Sequence, residues 1–216
     1  MTFVLTHDNL RLRTLRMRDA KHLERLILGN REWLRPWEAT NPLGPNSFDI
    51  RGQVRGLIRQ MDAQQGLPFV IEVDGEILGQ LNVANMLYGS VSSAVIGYWI
   101  APEAAGKGAV PTAVALATDY LFQEVGLHRV EIDIRPENTA SLRVVEKLGF
   151  RYEGLKERYI HINGAWRDHY VFALTQEEVS GGVLNRWLKN EVPALPFPKK
   201  TTDFKHTELN DGTLGS

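Results

Sequence analysis

Between Ile100 and Pro111 the segment Ala101-Pro-Glu-Ala-Ala-Gly-Lys-Gly-Ala-Val110 joins an apolar run to a helical one. A glycine-containing loop that leads from a strand into a helix aims backbone N–H groups and the positive end of the helix dipole at one point. That arrangement suits a phosphate or pyrophosphate. An ordinary strand-to-helix turn has a similar composition, so the loop alone leaves both readings open. Two phosphate-binding patterns are ruled out. Gly106-Lys107 is followed by Gly108 rather than Ser or Thr, and the glycine spacing fits neither a Walker loop nor the dinucleotide fingerprint. The six histidines show no HExxH spacing. His161 and His169 flank a turn and could approach each other across two strands, but two ligands do not make a metal site, and no metal is expected. The absence of cysteine removes disulfides, thiolate nucleophiles, Cys-ligated zinc and any acyl-cysteine mechanism.

These residues need a scaffold, and the patterning supplies one. Alternation over Asn9–Leu15 predicts a strand, and the stripe Ala20, Leu23, Leu26, Ile27 predicts a helix stopped at Gly29-Asn30. After a proline-broken aromatic segment, Ile50, Val54, Leu57, Ile58 and Met61 mark an amphipathic helix. Asp74-Gly75 between 69–73 and 77–83 is a type I′ hairpin signal, and 91–100 is a further strand. A helix over 111–125, a strand over 129–134, a helix over 138–148 closed by Gly149, and strands 150–162 and 166–174 around Asn163-Gly164 follow. Thr175 with Glu178 forms a capping box for a last helix running to about Lys189. The order implies a mixed α/β, α+β fold: a mostly antiparallel sheet of about seven strands with one parallel crossover, 91–100 to 129–134. One domain over 1–192 and a proline-containing flexible tail over 193–216 are expected.

Bulk properties narrow the function classes. Lys plus Arg number 25 and Asp plus Glu 26 in 216 residues, a net charge of −1, which argues against an extended DNA- or RNA-binding face. The run Arg11, Arg13, Arg16, Arg18 and the pair Lys199-Lys200 are expected to be solvated charge. The first twelve residues lack the apolar core of a signal peptide and no stretch is long and apolar enough for a membrane span, so a cytoplasmic location is expected.

The loop, its helix and the segment Arg135-Pro-Glu-Asn-Thr-Ala-Ser-Leu-Arg-Val-Val-Glu-Lys-Leu-Gly-Phe150 together resemble the GNAT N-acetyltransferase family over roughly residues 9–175. Asn30-Arg-Glu-Trp-Leu-Arg-Pro-Trp-Glu38 and Ile162-Asn-Gly-Ala-Trp-Arg-Asp-His169 resemble its RimJ type, the ribosomal-protein-alanine N-acetyltransferases. The resemblance implies a GNAT fold with splayed strands at the cofactor site and acetyl-CoA as co-substrate. It also implies a protein N-terminal amine, of alanine and on a ribosomal protein, as acceptor, reached by direct attack in a ternary complex. Ala105, Gly106, Lys107, Gly108, Ala109 and Val110 then correspond to the pyrophosphate motif. Gly108 matches its central glycine, while Ala105 stands where Gln or Arg is usual and Val110 where Gly or Ala is usual; Pro111 removes one further N–H donor. A bulged strand around Gly97–Ile100 would pair with pantetheine through backbone near Trp99, Ile100 and Ala101, and Asn138 and Ser141 would lie near the cofactor.

The remaining roles follow in the same way. A tyrosine acid common in the family is replaced by Val145, which leaves Ser141 as the expected proton donor to the leaving thiolate, or else a capping serine. Asp133 corresponds to a carboxylate proposed as base, or is a sheet carboxylate in an ion pair. Glu38 is the second candidate base. Asn138 is equally an N-cap. Trp33 and Trp37, four residues apart, suit core packing or an acceptor wall, with Tyr98, Tyr159 and Trp166 as further wall residues. Asp168 is placed to meet a cationic N-terminus or a neighbouring arginine. Substrate choice falls in 31–48 and 157–168. Two other functions stay open: acetylation of a small amine such as an antibiotic or amino acid, and a non-catalytic acetyl-CoA sensor.

Overall fold

In a computed structural model, residues 3–43, 49–194 and 196 are described. The tail from 197 onward and residues 44–48 of the proposed acceptor region lie outside them. Asp74 and Gly75 take φ of 52° and 84°, and Asn163 and Gly164 take 48° and 85°, the paired positive values a type I′ hairpin needs. These turns join β3 (Leu67–Val73) to β4 (Glu76–Leu87) and β7 (Arg151–Ile162) to β8 (Ala165–Thr175). With β1 (Val4–His7), β2 (Leu10–Thr14), β5 (Ser93–Ile100) and β6 (Arg129–Ile134) they form one eight-stranded sheet in the order β1-β2-β3-β4-β5-β6-β8-β7. Only β5 and β6 pair in parallel. The eighth strand absent from the sequence reading is β1, four residues turned onto β2 by Asp8 at φ 50°. It is too short to show a period.

Strand alternation sorts the core into two layers. Phe69 and Ile71 of β3 face α4 (Ala109–Gln123), while Val70 between them faces α1 (Ala20–Gly29) and α3 (Ile50–Asp62). Helix α4 is buried on nearly all sides, more than the single stripe of its sequence suggests, because the sheet covers one side and later helices the other. Those are α5 (Thr139–Leu148) and α6 (Val183–Leu188). The long last helix is a correction. The Thr175–Glu178 capping box is present, but it caps only a single 3₁₀ turn, Gln176–Val179. Gly181-Gly182, with Gly182 at φ 86°, then breaks the helix before α6, whose first N–H groups donate to the half-buried Asp119 of α4 at 2.6 and 3.1 Å.

Arg13 is a second correction. It is 6% exposed and donates to both oxygens of Asp19 (2.8 and 2.9 Å) and to Glu72 (2.6 Å). A guanidinium this deep requires opposite charge on more than one side. No helix among the described residues is long and apolar enough to cross a membrane.

Candidate active site

Strands β5 and β6 pair only from Ser93–Arg129 to Val95–Glu131 and then part, leaving Ile96–Ile100 and Ile132–Ile134 on the two sides of a gap. The cause is not a bulge in β5, which keeps regular register with β4 from Val95 to Ile100. The irregularity lies in β4, between Ala84 and Leu87, where Asn85 takes φ 51°. Ala101 N donates to Leu78 O at 2.7 Å. By the alternation of an antiparallel ladder, Trp99 and Gly97 therefore also bond toward β4, and the free backbone groups facing the gap belong to Tyr98 and Ile100. This moves the expected pantetheine-pairing edge off Trp99 and Ala101. Of Ile100 only the N–H stays available, because its carbonyl accepts from Trp33 Nε1 at 2.9 Å.

At the end of β5 the loop makes a 3₁₀ turn at Pro102–Ala104 and passes through Gly106 and Gly108 at φ 75° and 88°. Helix α4 starts at Ala109 with no side chain capping it, and Thr112 N closes its first bond on Gly108 O at 3.1 Å. The N–H groups of Ala109 and Val110 thus remain as donors at a helix N-terminus, and Pro111 has none to offer. Ala105 packs against the main core, and Lys107 is exposed.

A cavity of about 170 Å³ opens at the parting of the strands. Of the sequence candidates it gathers Tyr98 from β5, Asp133 from β6, Asn138 and Ser141 from the start of α5, and Trp37 from above. Asn138 acts as a helix cap, its Oδ1 accepting from Ser141 N at 3.1 Å, which turns the first turn of α5 and the serine toward the cavity. Tyr98 Oη is buried, and the Ser141 hydroxyl is the polar group beside it. Burial pushes its phenol well above the usual value, with nearby Ser141 opposing slightly. Burial likewise raises the Asp133 carboxyl, and the Lys156 ammonium at 3.1 Å pulls it back.

Other candidates are used elsewhere. Glu38 pairs with Arg31 and does not line the cavity. One oxygen of Asp168 accepts from Arg158 N at 2.7 Å, in the hairpin where that residue takes φ 46°, and Asp168 does not line the cavity. Tyr159 lies beside the Lys156 ammonium, 4.5 Å from its ring centre, and Trp166 packs on His161; neither lines the cavity. Trp33, 45% exposed on α2 (Arg31–Leu34), is a tether rather than core or cavity wall. Trp37 is held under Arg135, whose guanidinium sits 5.4 Å from the ring centre and donates to Pro36 O at 2.7 Å. The segment closes on the far side through Thr40 N to His161 O at 2.8 Å. Sequence reasoning missed His169 and Arg135 at this site; the positions carried polar residues in a strand and after one, with no local signal of convergence. Among the described residues no group of His, Cys, Asp and Glu is arranged to hold a metal.

A family model described as "Acetyltransferase (GNAT) domain" matches residues 9–151. The chain belongs to the GNAT acetyltransferase family. The Escherichia coli [ribosomal protein uS5]-alanine N-acetyltransferase is 32% identical over 185 residues, 82% of this chain and 93% of that one. A probable N-acetyltransferase of Bacillus subtilis, YjcK, is 40% identical over 101 residues, 47% of this chain and 56% of its own length. The solved structure of Mycobacterium smegmatis RimJ in complex with CoA-disulfide superposes with a TM-score of 0.79 at 37% identity, covering 88% of this chain and 94% of that one. This acetyltransferase takes acetyl-CoA as co-substrate. Its residues suit that group: two left-handed glycines and open N–H donors at the start of α4 that would meet a pyrophosphate, and a β5 edge that parts from β6 after Val95.

Proposed function

We propose that this acetyltransferase acetylates the α-amine of a protein N-terminus, with alanine as the first residue and a ribosomal protein as the carrier. The observation that carries the acceptor class is the cavity itself. It is small, roofed by Trp37 and flanked by Ile160 and Ile162, and the one carboxylate in its wall, Asp133, already faces Lys156. A polyamine or aminoglycoside needs several acidic partners to offset its charges. A small, neutral first side chain with a single amine needs only one polar contact. The relation to the uS5-alanine enzyme and to RimJ supports the same acceptor.

Acetyl-CoA supplies a thioester carbonyl carbon for attack. The chain's own groups orient and deprotonate the amine and protonate what leaves. Ser141, at the first turn of α5 and close to Tyr98, serves as proton donor to the leaving sulfur. Asp133, paired with Lys156, accepts a hydrogen bond from the incoming amine.

The test is mass spectrometry of acetyl-CoA reactions against short peptides that differ only in their first residue, with lysines blocked, alongside spermidine, an aminoglycoside and free amino acids. Labelling of α-amines, strongest for Ala or Ser, is expected. Labelling of the small amines alone would move the enzyme to the small-amine class, and cofactor binding without turnover would make it a sensor.

A further inference from the structure

His169 lies on β8 with 3% of its surface exposed, and it lines the same cavity as Asp133 and Ser141. Its Nδ1 stands 3.0 Å from the carbonyl oxygen of Arg167. A carbonyl only accepts, so Nδ1 carries the hydrogen and Nε2 of the neutral ring is a lone pair. Among the described residues nothing donates to Nε2. The Tyr159 ring meets the imidazole edge-on at 6.1 Å between centres and restricts its rotation. The charged groups around it are Asp133 from β6, Arg135 just after β6, its neighbour Asp168 on β8, and Lys156 of β7, which is bound to Asp133. Burial holds the imidazole below its ordinary value, with the Arg167 carbonyl and the two carboxylates partly opposing. At neutral pH the ring is therefore neutral and basic, and a cation formed on it would be offset by Asp133.

We propose that Nε2 of His169 is the general base that takes a proton from the acceptor's α-ammonium; this rests on the N-terminal amine as substrate. One proton passes from R–NH₃⁺ to Nε2, giving R–NH₂ and imidazolium. The nitrogen lone pair forms the C–N bond to the acetyl carbonyl carbon as the C–S bond breaks, with the C–S electron pair leaving on sulfur. Sulfur gains one proton, nitrogen loses its second, and the imidazolium returns its proton to solvent. A neutral imidazole with its lone pair on Nε2 is better matched to this step than a carboxylate bound to Lys156. Glu38, tied to Arg31 outside the cavity, takes no part.

The first measurement is ¹⁵N NMR of the imidazole nitrogens in the full-length protein without ligands. The Nδ1–H tautomer and a titration midpoint below 6.5 are expected for His169. A ring protonated at pH 7, or the Nε2–H tautomer, would overturn the assignment. The second is His169→Asn, whose amide nitrogen replaces Nδ1 toward Arg167 but offers no base. Its kcat should fall about 100-fold or more, with peptide KM changed far less, and the acid limb of the kcat/KM pH profile assigned to His169 should disappear. An unchanged rate and limb would overturn the proposal. His169→Gln and the wild-type NMR titration decide the matter if the Asn variant does not fold. Wild-type enzyme that acetylates small amines and no peptide would overturn the acceptor, and with it the α-ammonium as partner; failure of His169 alone leaves wild-type peptide turnover intact.

Discussion

Trp33 Nε1 donates to the carbonyl oxygen of Ile100 at 2.9 Å, tying the short helix α2 to the last residue of β5. The bond uses up the one Ile100 backbone acceptor facing the gap, and it holds Trp37, four residues on, over the cavity. Trp33→Phe keeps the ring and deletes the donor. We expect peptide KM to rise roughly 3- to 10-fold, the worth of about 1 kcal/mol, with acetyl-CoA affinity little changed. Steady-state kinetics with each substrate varied separately measures this, and an unaffected peptide KM would show that the tether does not shape the acceptor wall.

Gly108 caps α4 at φ 88°, a conformation that costs an L-residue roughly 1–2 kcal/mol. The space beside it is ordinary contact with Trp187, 3.7 Å from a Cβ placed there, so strain rather than collision dominates. Gly108→Val should reorient the Ala109 and Val110 N–H groups and weaken acetyl-CoA binding at least about tenfold. Titration calorimetry that finds unchanged affinity in a folded variant would displace the pyrophosphate from this loop.

Tyr98 Oη is buried beside the Ser141 hydroxyl at the parting of β5 and β6. Its removal in Tyr98→Phe should change thermal stability by no more than about 1 kcal/mol, because Ser141 is the one side chain beside the hydroxyl. The same variant should lower kcat if the hydroxyl finds its partner during turnover. Ser141→Ala should slow turnover more than it weakens either KM. A fully active double variant would remove both hydroxyls from the mechanism.

Glu153 on β7 lies between Arg129, with one contact at 3.0 Å, and Arg151 at 2.7 Å, and these guanidiniums lower its carboxyl to about 2. A carboxyl depressed in the folded state stabilises the protein above its unfolded value, near 4.5, and that contribution fades as pH falls toward about 2. Glu153→Gln should therefore be less stable than wild type at pH 7, with the difference shrinking between pH 4.5 and 2. Urea midpoints across that range test it. A constant difference would mean that packing, not charge, is lost.

Much of this architecture is written locally. Asp74-Gly75 and Asn163-Gly164 turn as their backbone preferences require, Asn138 and Gly149 bracket α5, and the apolar run, glycine loop and Pro111 place a strand, an anion-binding corner and a helix in sequence. Each of these signals lies within a few residues of what it controls, so it survives without the rest of the chain.

The candidate site does not have that property. Tyr98, Asp133, Ser141 and His169 stand on separate elements and meet only because β5 and β6 part after Val95 while β8 pairs with β6 along its length. Sequence types alone left Asp133 and then Glu38 as candidate bases and Asp168 as a contact for a cationic N-terminus, and gave His169 no advantage over His161. Tertiary structure decided between them through partners far along the chain: Arg158 N claimed Asp168, Lys156 faced Asp133, and burial beside the Arg167 carbonyl set which nitrogen of His169 carries a lone pair. A side chain's protonation state depends on what surrounds it in space. Those surroundings come from strand register and sheet order, which no local pattern encodes.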